Sequence, residues 1–282
     1  MCVNNVTRKQ VRVFLCMVIM SYIITTICFG VKYEPIRQHW IKRITDKCKQ
    51  NKEIVVFDKT NVQQREIPSS EYAWWDVVRL NKNILLCLKE KSPVIHIDMD
   101  IIIENELEDL TRLPYDFIIS TEIGGNQSFP KECSQKLGFG VCSGFYIIKP
   151  SAMNFMMKIL SNMKSKKYGS FSDQVNIMNF VVNNSHAVTE DTCVLNGVAF
   201  KNKIIQVDGI KICVLDFGII TRDPILTKHQ YGNHINVDNV GGVGNFINYF
   251  YQPLESLPLT CRCNKKHLGD NTVCTHLSIR GI

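Results

Sequence analysis

The stretch Ser92-Pro93-Val94-Ile95-His96-Ile97-Asp98-Met99-Asp100-Ile101-Ile102-Ile103-Glu104 decides how the chain is read. Ser92 and Pro93 break what precedes it. Val94, Ile95 and Ile97 form an apolar run around His96, and Ile101, Ile102 and Ile103 resume it after two acids. The run reads as a buried strand that carries Asp98 and Asp100 inside it. An ionised carboxylate is costly to bury unless it is paired or bound to a cation, and two of them one residue apart also repel. Residues i and i+2 of an extended chain point to the same side, so both carboxylates address one point. A divalent cation at that point removes desolvation and repulsion together, and hard oxygen ligands suit magnesium, manganese or calcium. The competing reading is two solvated acids at a strand-to-loop junction, which would not need apolar flanks on both sides.

A chain of 282 residues with 45% hydrophobic and 21% charged residues buries a sizeable core and is not a disordered protein. Its net charge of +7 is spread along the sequence without a long basic run, which favours small anionic ligands over nucleic acid. There are twelve cysteines. Cys28, Cys87, Cys193 and Cys213 lie in apolar runs, where a reduced thiol is a small hydrophobe. Pairing of the others does not follow from sequence. Sequons at Asn126–Ser128 and Asn183–Ser185 permit glycosylation in a lumenal setting.

The Asp98-x-Asp100 pair, with its apolar flanks, resembles the Asp-x-Asp motif of glycosyltransferases of the GT-A fold. More narrowly, the chain is similar to the nucleotide-diphospho-sugar transferase domain proteins, over about Tyr22 to Asn248. The resemblance implies an α/β fold, a GT-A-like three-layer α/β/α domain with a mostly parallel central sheet. It also implies a Mn²⁺ or Mg²⁺ ion held by the two aspartates on the diphosphate of a sugar nucleotide.

Other segments match this order. Trp74–Lys89 has helical spacing, and Arg79 and Lys82 share one side of that helix. In the resembled family a basic residue here approaches the diphosphate; Lys82 is the first choice and Arg79 the second, against a plain solvated helix face. Tyr115–Ser120 reads as a strand and Thr121–Gly140 as a long loop. Val141–Lys149 reads as a strand broken at Ser143 and Gly144. By resemblance Ser143 and Gly144 let the donor sugar lie against the backbone; a β-bulge is the bland account. Ser172 or Asp173 caps a helix over Gln174–Val182, and the family places an Asp-Gln pair such as Asp173–Gln174 beside donor sugar and acceptor. Asp208–Gly209 is a hairpin signal between Ile204–Val207 and Ile212–Leu215. A histidine near the C-terminal end completes the family's metal set, and both His234 and His229 match a pattern, His234 slightly better. The lysine that usually follows it is not evident.

At the N-terminus two readings compete. Val13–Val31 has a charged residue nowhere except before it, at Arg8, Lys9 and Arg12, and is long enough to span a bilayer. That describes a type II signal anchor with a Golgi or ER lumenal domain. Alternatively, Tyr22–Phe29 is the first core strand, ahead of a helix at Tyr33–Lys49 and a strand at Ile54–Phe57, and the chain is cytoplasmic and soluble. The organisation expected is a tail and apolar segment over 1–21, a transferase domain over 22–255, and a Cys/His-containing tail over 256–282. Cys261, Cys263, His267, Cys274 and His276 match no zinc spacing, so thiols or disulfides are preferred there.

The function expected is transfer of a hexosyl or pentosyl unit from a nucleotide-diphosphate donor to a hydroxyl of a glycan, protein or lipid acceptor. The alternatives are a catalytically inactive carbohydrate- or nucleotide-binding protein on the same fold, and a membrane-anchored structural protein with no ligand.

Overall fold

The computed structural model describes residues 21–28, 33–66, 73–122, 129–185, 187–221, 231–235, 242–248 and 251. Its centre is an eight-stranded sheet in the order β2-β1-β3-β6-β5-β9-β8-β7. The strands are β1 (Tyr22–Ile27), β2 (Asn51–Phe57), β3 (Val94–Ile97), β5 (Phe117–Thr121), β6 (Val141–Ile148), β7 (Ala187–Leu195), β8 (Val198–Val207) and β9 (Ile210–Val214). Only β6 and β8 run against the common direction, so the sheet is mostly parallel in sense. A second sheet joins β10 (Ile220–Thr221), β11 (Gly232–His234) and β4 (Ile101–Ile103).

Helices cover both faces. On one, α1 (Glu34–Lys47) presents Ile36, Trp40 and Ile44, four residues apart and therefore on one stripe, to Tyr22, Ile24, Ile95 and the small sheet. On the other, α2 (Trp74–Glu90), α5 (Met153–Lys164) and α6 (Asp173–Asn184) bury Leu80, Ile84, Phe155, Met156, Ile159 and Ile177 against Ile23, Val94, Phe117 and Tyr146. Adjacent residues of one strand thus feed different cores, as the two-residue repeat of a strand demands. The expected three-layer α/β/α architecture is present.

Three expectations change. The run Val13–Val31 is not one membrane span, because Tyr22–Ile27 is a strand between β2 and β3, with Tyr22, Ile23 and Ile24 fully buried. Residues 13–20 lie outside the described residues. No described helix is long and apolar enough to cross a membrane. The Asp98-x-Asp100 segment is not continuous strand: Asp98 to Asp100 form a turn, closed by Ile101 N–H donating to Asp98 O at 3.0 Å, and β3 and β4 enter different sheets. Thr121–Gly140 is not wholly loop. It holds α4 (Lys131–Leu137), bounded by Pro130 and by Gly138 in the left-handed conformation that ends many helices. The helix α3 (Glu108–Arg112) follows the small-sheet strand β4, and α7 (Val243–Asn248) packs on α1.

Candidate active site

The end of β3 delivers Asp98 to the mouth of the sheet, where its N–H donates to Gly144 O at 2.7 Å and so extends the β3–β6 ladder by one rung. The pairing of β5 with β6 jumps from Ile119–Tyr146 to Ser120–Cys142, so Ser143, Gly144 and Phe145 have no opposite number on β5. This is a β-bulge, the kind of irregularity that re-aims side chains beside functional sites. Ser143 Oγ accordingly reaches the Arg79 guanidinium at 3.4 Å.

Arg79, from the first turns of α2, is 5% exposed and gathers three carboxylates. Its Nη2 donates to Asp173 Oδ2 at 2.6 Å and lies 3.2 Å from Asp76 Oδ1, and its Nη1 donates to Asp98 Oδ1 at 3.2 Å. Burial opposes the guanidinium charge, but Asp173, Asp76 and Asp98 outweigh it and hold Arg79 firmly protonated. Asp173 is wholly buried at the first position of α6, and its Oδ1 accepts from Gln174 N–H at 2.8 Å. It is no helix cap: Ser172 takes the cap position and its side chain caps nothing. Gln174 Nε2 donates to Phe129 O at 2.8 Å.

His96 Nε2 stands 2.9 Å from Asp98 Oδ1. Burial first, and then Arg79, lower the His96 pKa, so the imidazole is neutral and donates through Nε2. Burial raises Asp98, yet the His96 hydrogen bond and the Arg79 charge outweigh it and keep that carboxylate well below the usual range. Asp76 is the opposite case. Burial raises it to about 7, Arg79 works against that, and the charges of Asp173 and Asp98 add to it.

Asp100 belongs to the small sheet. Ile235 N–H donates to Asp100 O at 2.8 Å, and the β4–β11 register sets His234 opposite Ile101. His234 Nε2 is then 3.1 Å from Asp100 Oδ1, an ion-pair distance outside hydrogen-bonding geometry, which leaves that buried oxygen without a hydrogen bond. His234 Nδ1 lies 3.6 Å from Cys142 Sγ. Burial lowers the His234 pKa, but Asp100 more than compensates and carries it up to about 10.

The two halves meet at Gly144. A Cβ there would stand 2.9 Å from Asp98 Oδ2 and 3.2 Å from His234 Cε1. Glycine is required by the approach of these two side chains. A cavity of about 250 Å³ opens here, lined by Asp76, Arg79, Asp98, Asp100, Ser143 and Gln174, with Tyr33 and Trp75 as its aromatic walls.

The structure therefore brings Asp98, Asp100, Arg79, Ser143, Gly144, Asp173, Gln174 and His234 to one place. Lys82 is not among them: its Nζ pairs with Glu66 Oε1 at 2.9 Å, on another flank of α2. His229 lies outside the described residues. Sequence reasoning overlooked Asp76, Ser172, Cys142 and His96. Asp76 alone carried a signal, three residues before Arg79 on the same helical face. Among the described residues, no three His, Cys, Asp or Glu side chains form a closed metal-ligand set. Two carboxylates and a neighbouring imidazole that gives up its proton are nonetheless a donor set that fits a hard divalent cation.

The fold is that of a glycosyltransferase. The chain superposes on a glycosyltransferase involved in the glycosylation of the major capsid of PBCV-1 with a TM-score of 0.53 and 11% identity, covering 82% of this chain and 98% of that one. It is also similar to mouse xyloside xylosyltransferase 1 in its apo form, with a TM-score of 0.48 and 11% identity over 77% of this chain and 98% of that one. No protein-family model matches the sequence, and no curated protein matches it.

Proposed function

We propose that the chain transfers a sugar from a nucleotide-diphosphate donor to an acceptor hydroxyl, with Mn²⁺ or Mg²⁺ held by Asp98 and Asp100 and completed by His234. One observation carries this reading: the Asp98 carboxylate and the His234 imidazole, from two different sheets, crowd against a glycine that admits no side chain at the carboxyl end of β3, with Asp100 3.1 Å from the same imidazole. Open α/β sheets bind their ligands at such strand ends. The shared fold with the PBCV-1 enzyme supports it.

The cation, when bound, would neutralise negative charge on the leaving diphosphate. The rest of the work belongs to this chain's residues. His96 and Arg79 hold Asp98 ionised and fixed through one oxygen, which leaves Oδ2 turned toward Gly144 and the cavity. Arg79 ties Asp173 to the same anchor, so the start of α6 and the end of β3 are linked through one guanidinium. Gln174, Ser143 and Ser172 line the cavity with neutral hydrogen-bonding groups suited to sugar hydroxyls.

A second reading is a binding protein without turnover. Arg79 is the only cationic residue among the described cavity-lining residues, and three carboxylates already engage it. Hydrolysis of a panel of nucleotide-diphosphate sugars with and without Mn²⁺ separates the two. Metal-dependent hydrolysis of a donor supports the transferase, and donor binding with no turnover supports the second reading.

A further inference from the structure

A second cavity, of about 220 Å³, lies on the other flank of α2 and is lined by Arg65, Glu66, Trp74, Val77, Val78, Asn81 and Lys164. The helix shares itself between the two cavities: Trp75, Asp76 and Arg79 face the first, while Trp74, Val77, Val78 and Asn81 face this one. Of the basic stretch that begins at Lys164, Lys164 itself lines this cavity, and the displaced Lys82 pairs with its wall residue Glu66.

The wall is built before any ligand arrives. Trp74 Nε1 donates to Glu66 O at 2.7 Å, and the ring meets Phe171 edge-on with centroids 4.7 Å apart. The indole is held at its N–H and by its perpendicular contact with Phe171, within a cavity it helps to line. Charge around it is unbalanced. Glu66 is neutralised by Lys82 at 2.9 Å. Arg65 and Lys164 are exposed and make no ion pair among the described residues, so two positive charges remain. A phosphate monoester carries about −1.5 to −2 at neutral pH, and a carboxylate or a sulfate ester only one charge. Arginine supplies a planar fork and lysine a point charge, a pairing suited to phosphate oxygens. Its volume of about 220 Å³ offers room for a single ring with its phosphate.

We propose that this cavity is a separate binding site for a phosphorylated single-ring sugar, with Arg65 and Lys164 on the phosphate and Trp74 against the ring. It stands apart from the transfer reaction proposed above and does not depend on it.

The test is calorimetric titration of the full chain in EDTA with glucose 6-phosphate, glucose 6-sulfate, inorganic phosphate and glucose. The site predicts that glucose 6-phosphate binds tightest of the four. It also predicts that Arg65→Ala and Lys164→Ala each weaken that binding about tenfold, the loss of one charge-assisted hydrogen bond. Both residues are exposed, so thermal melting of the variants should match the parent. Unchanged affinity in both variants, inorganic phosphate or glucose binding as tightly as the sugar phosphate, or no binding at all would each overturn the proposal.

Discussion

Asp98 and Asp100 sit two residues apart and live in opposite surroundings. Asp98 ends a strand of the large sheet and is bound by a neutral histidine and a buried arginine. Asp100 opens a strand of the small sheet, faces a histidine, and keeps a buried oxygen without a hydrogen bond. The difference is one of reversibility. Arginine cannot shed its proton, so the Arg79 half is locked by charge. His234 can, but Asp100 holds that proton up to about pH 10, so near neutral pH the Asp100 half changes its charge state only when something displaces the proton. One half is scaffold, and the other is left open to exchange its partner.

Arg79→Met cuts the locked half. It leaves Asp173 wholly buried without its cation, and Asp76 and Asp98 beside it. Breaking a buried ion pair from one side costs about 3–5 kcal/mol, so urea denaturation of this variant should show the largest loss of stability of any single change at the site. A loss below about 1 kcal/mol would mean that Arg79 is not the anchor.

Gly144→Ala strikes where the halves touch. The new Cβ meets Asp98 Oδ2 at 2.9 Å, and Asp98 is pinned by His96 and Arg79 and cannot retreat. Overpacking of this kind costs about 1–3 kcal/mol. Metal-dependent donor binding should fall further than stability does, and a variant with full donor binding would show that the contact is not needed.

The smallest effect concerns Asp76. Its pKa is raised from 3.8 to about 7 in the folded protein, so the folded state holds a proton that the unfolded chain releases. Stability then falls as pH rises from about 4 to about 7 and levels off above. Asp76→Asn should flatten that part of the pH–stability curve, read by denaturation at pH 4.5 and 7. An unchanged slope would place the titration elsewhere.

Much of this was legible in the residues. The apolar run around Asp98 and Asp100, the helix bearing Arg79, the Ser143–Gly144 bulge and the Asp208–Gly209 turn all follow from local pattern. The turn at Asp98–Asp100 was not, because isoleucines lie on both sides of it and periodicity alone continues the strand. Arg79 and Lys82 look equivalent on one helix face; what separates them is Asp173, on a helix far along the chain, and Glu66, before the helix begins. His234 owes its place to a β4–β11 pairing that no local signal announces. Strand β7 was missed because it is exposed nearly throughout and has no apolar face, although Asn196–Gly197, with both φ angles positive, is the same hairpin signal as Asp208–Gly209. Helix α4 is short and lacks an apolar stripe, so only its bounding Pro130 and Gly138 marked it.

The most direct measurement is donor binding by the parent and by Asp100→Asn, titrated with nucleotide-diphosphate sugars in Mn²⁺ and again in EDTA. A cation site predicts that the parent binds a donor in Mn²⁺ and loses it in EDTA, and that Asp100→Asn folds but binds no donor in either. If Asp100→Asn binds the donor in Mn²⁺ as tightly as the parent, the two acids do not grip a metal and the account is wrong.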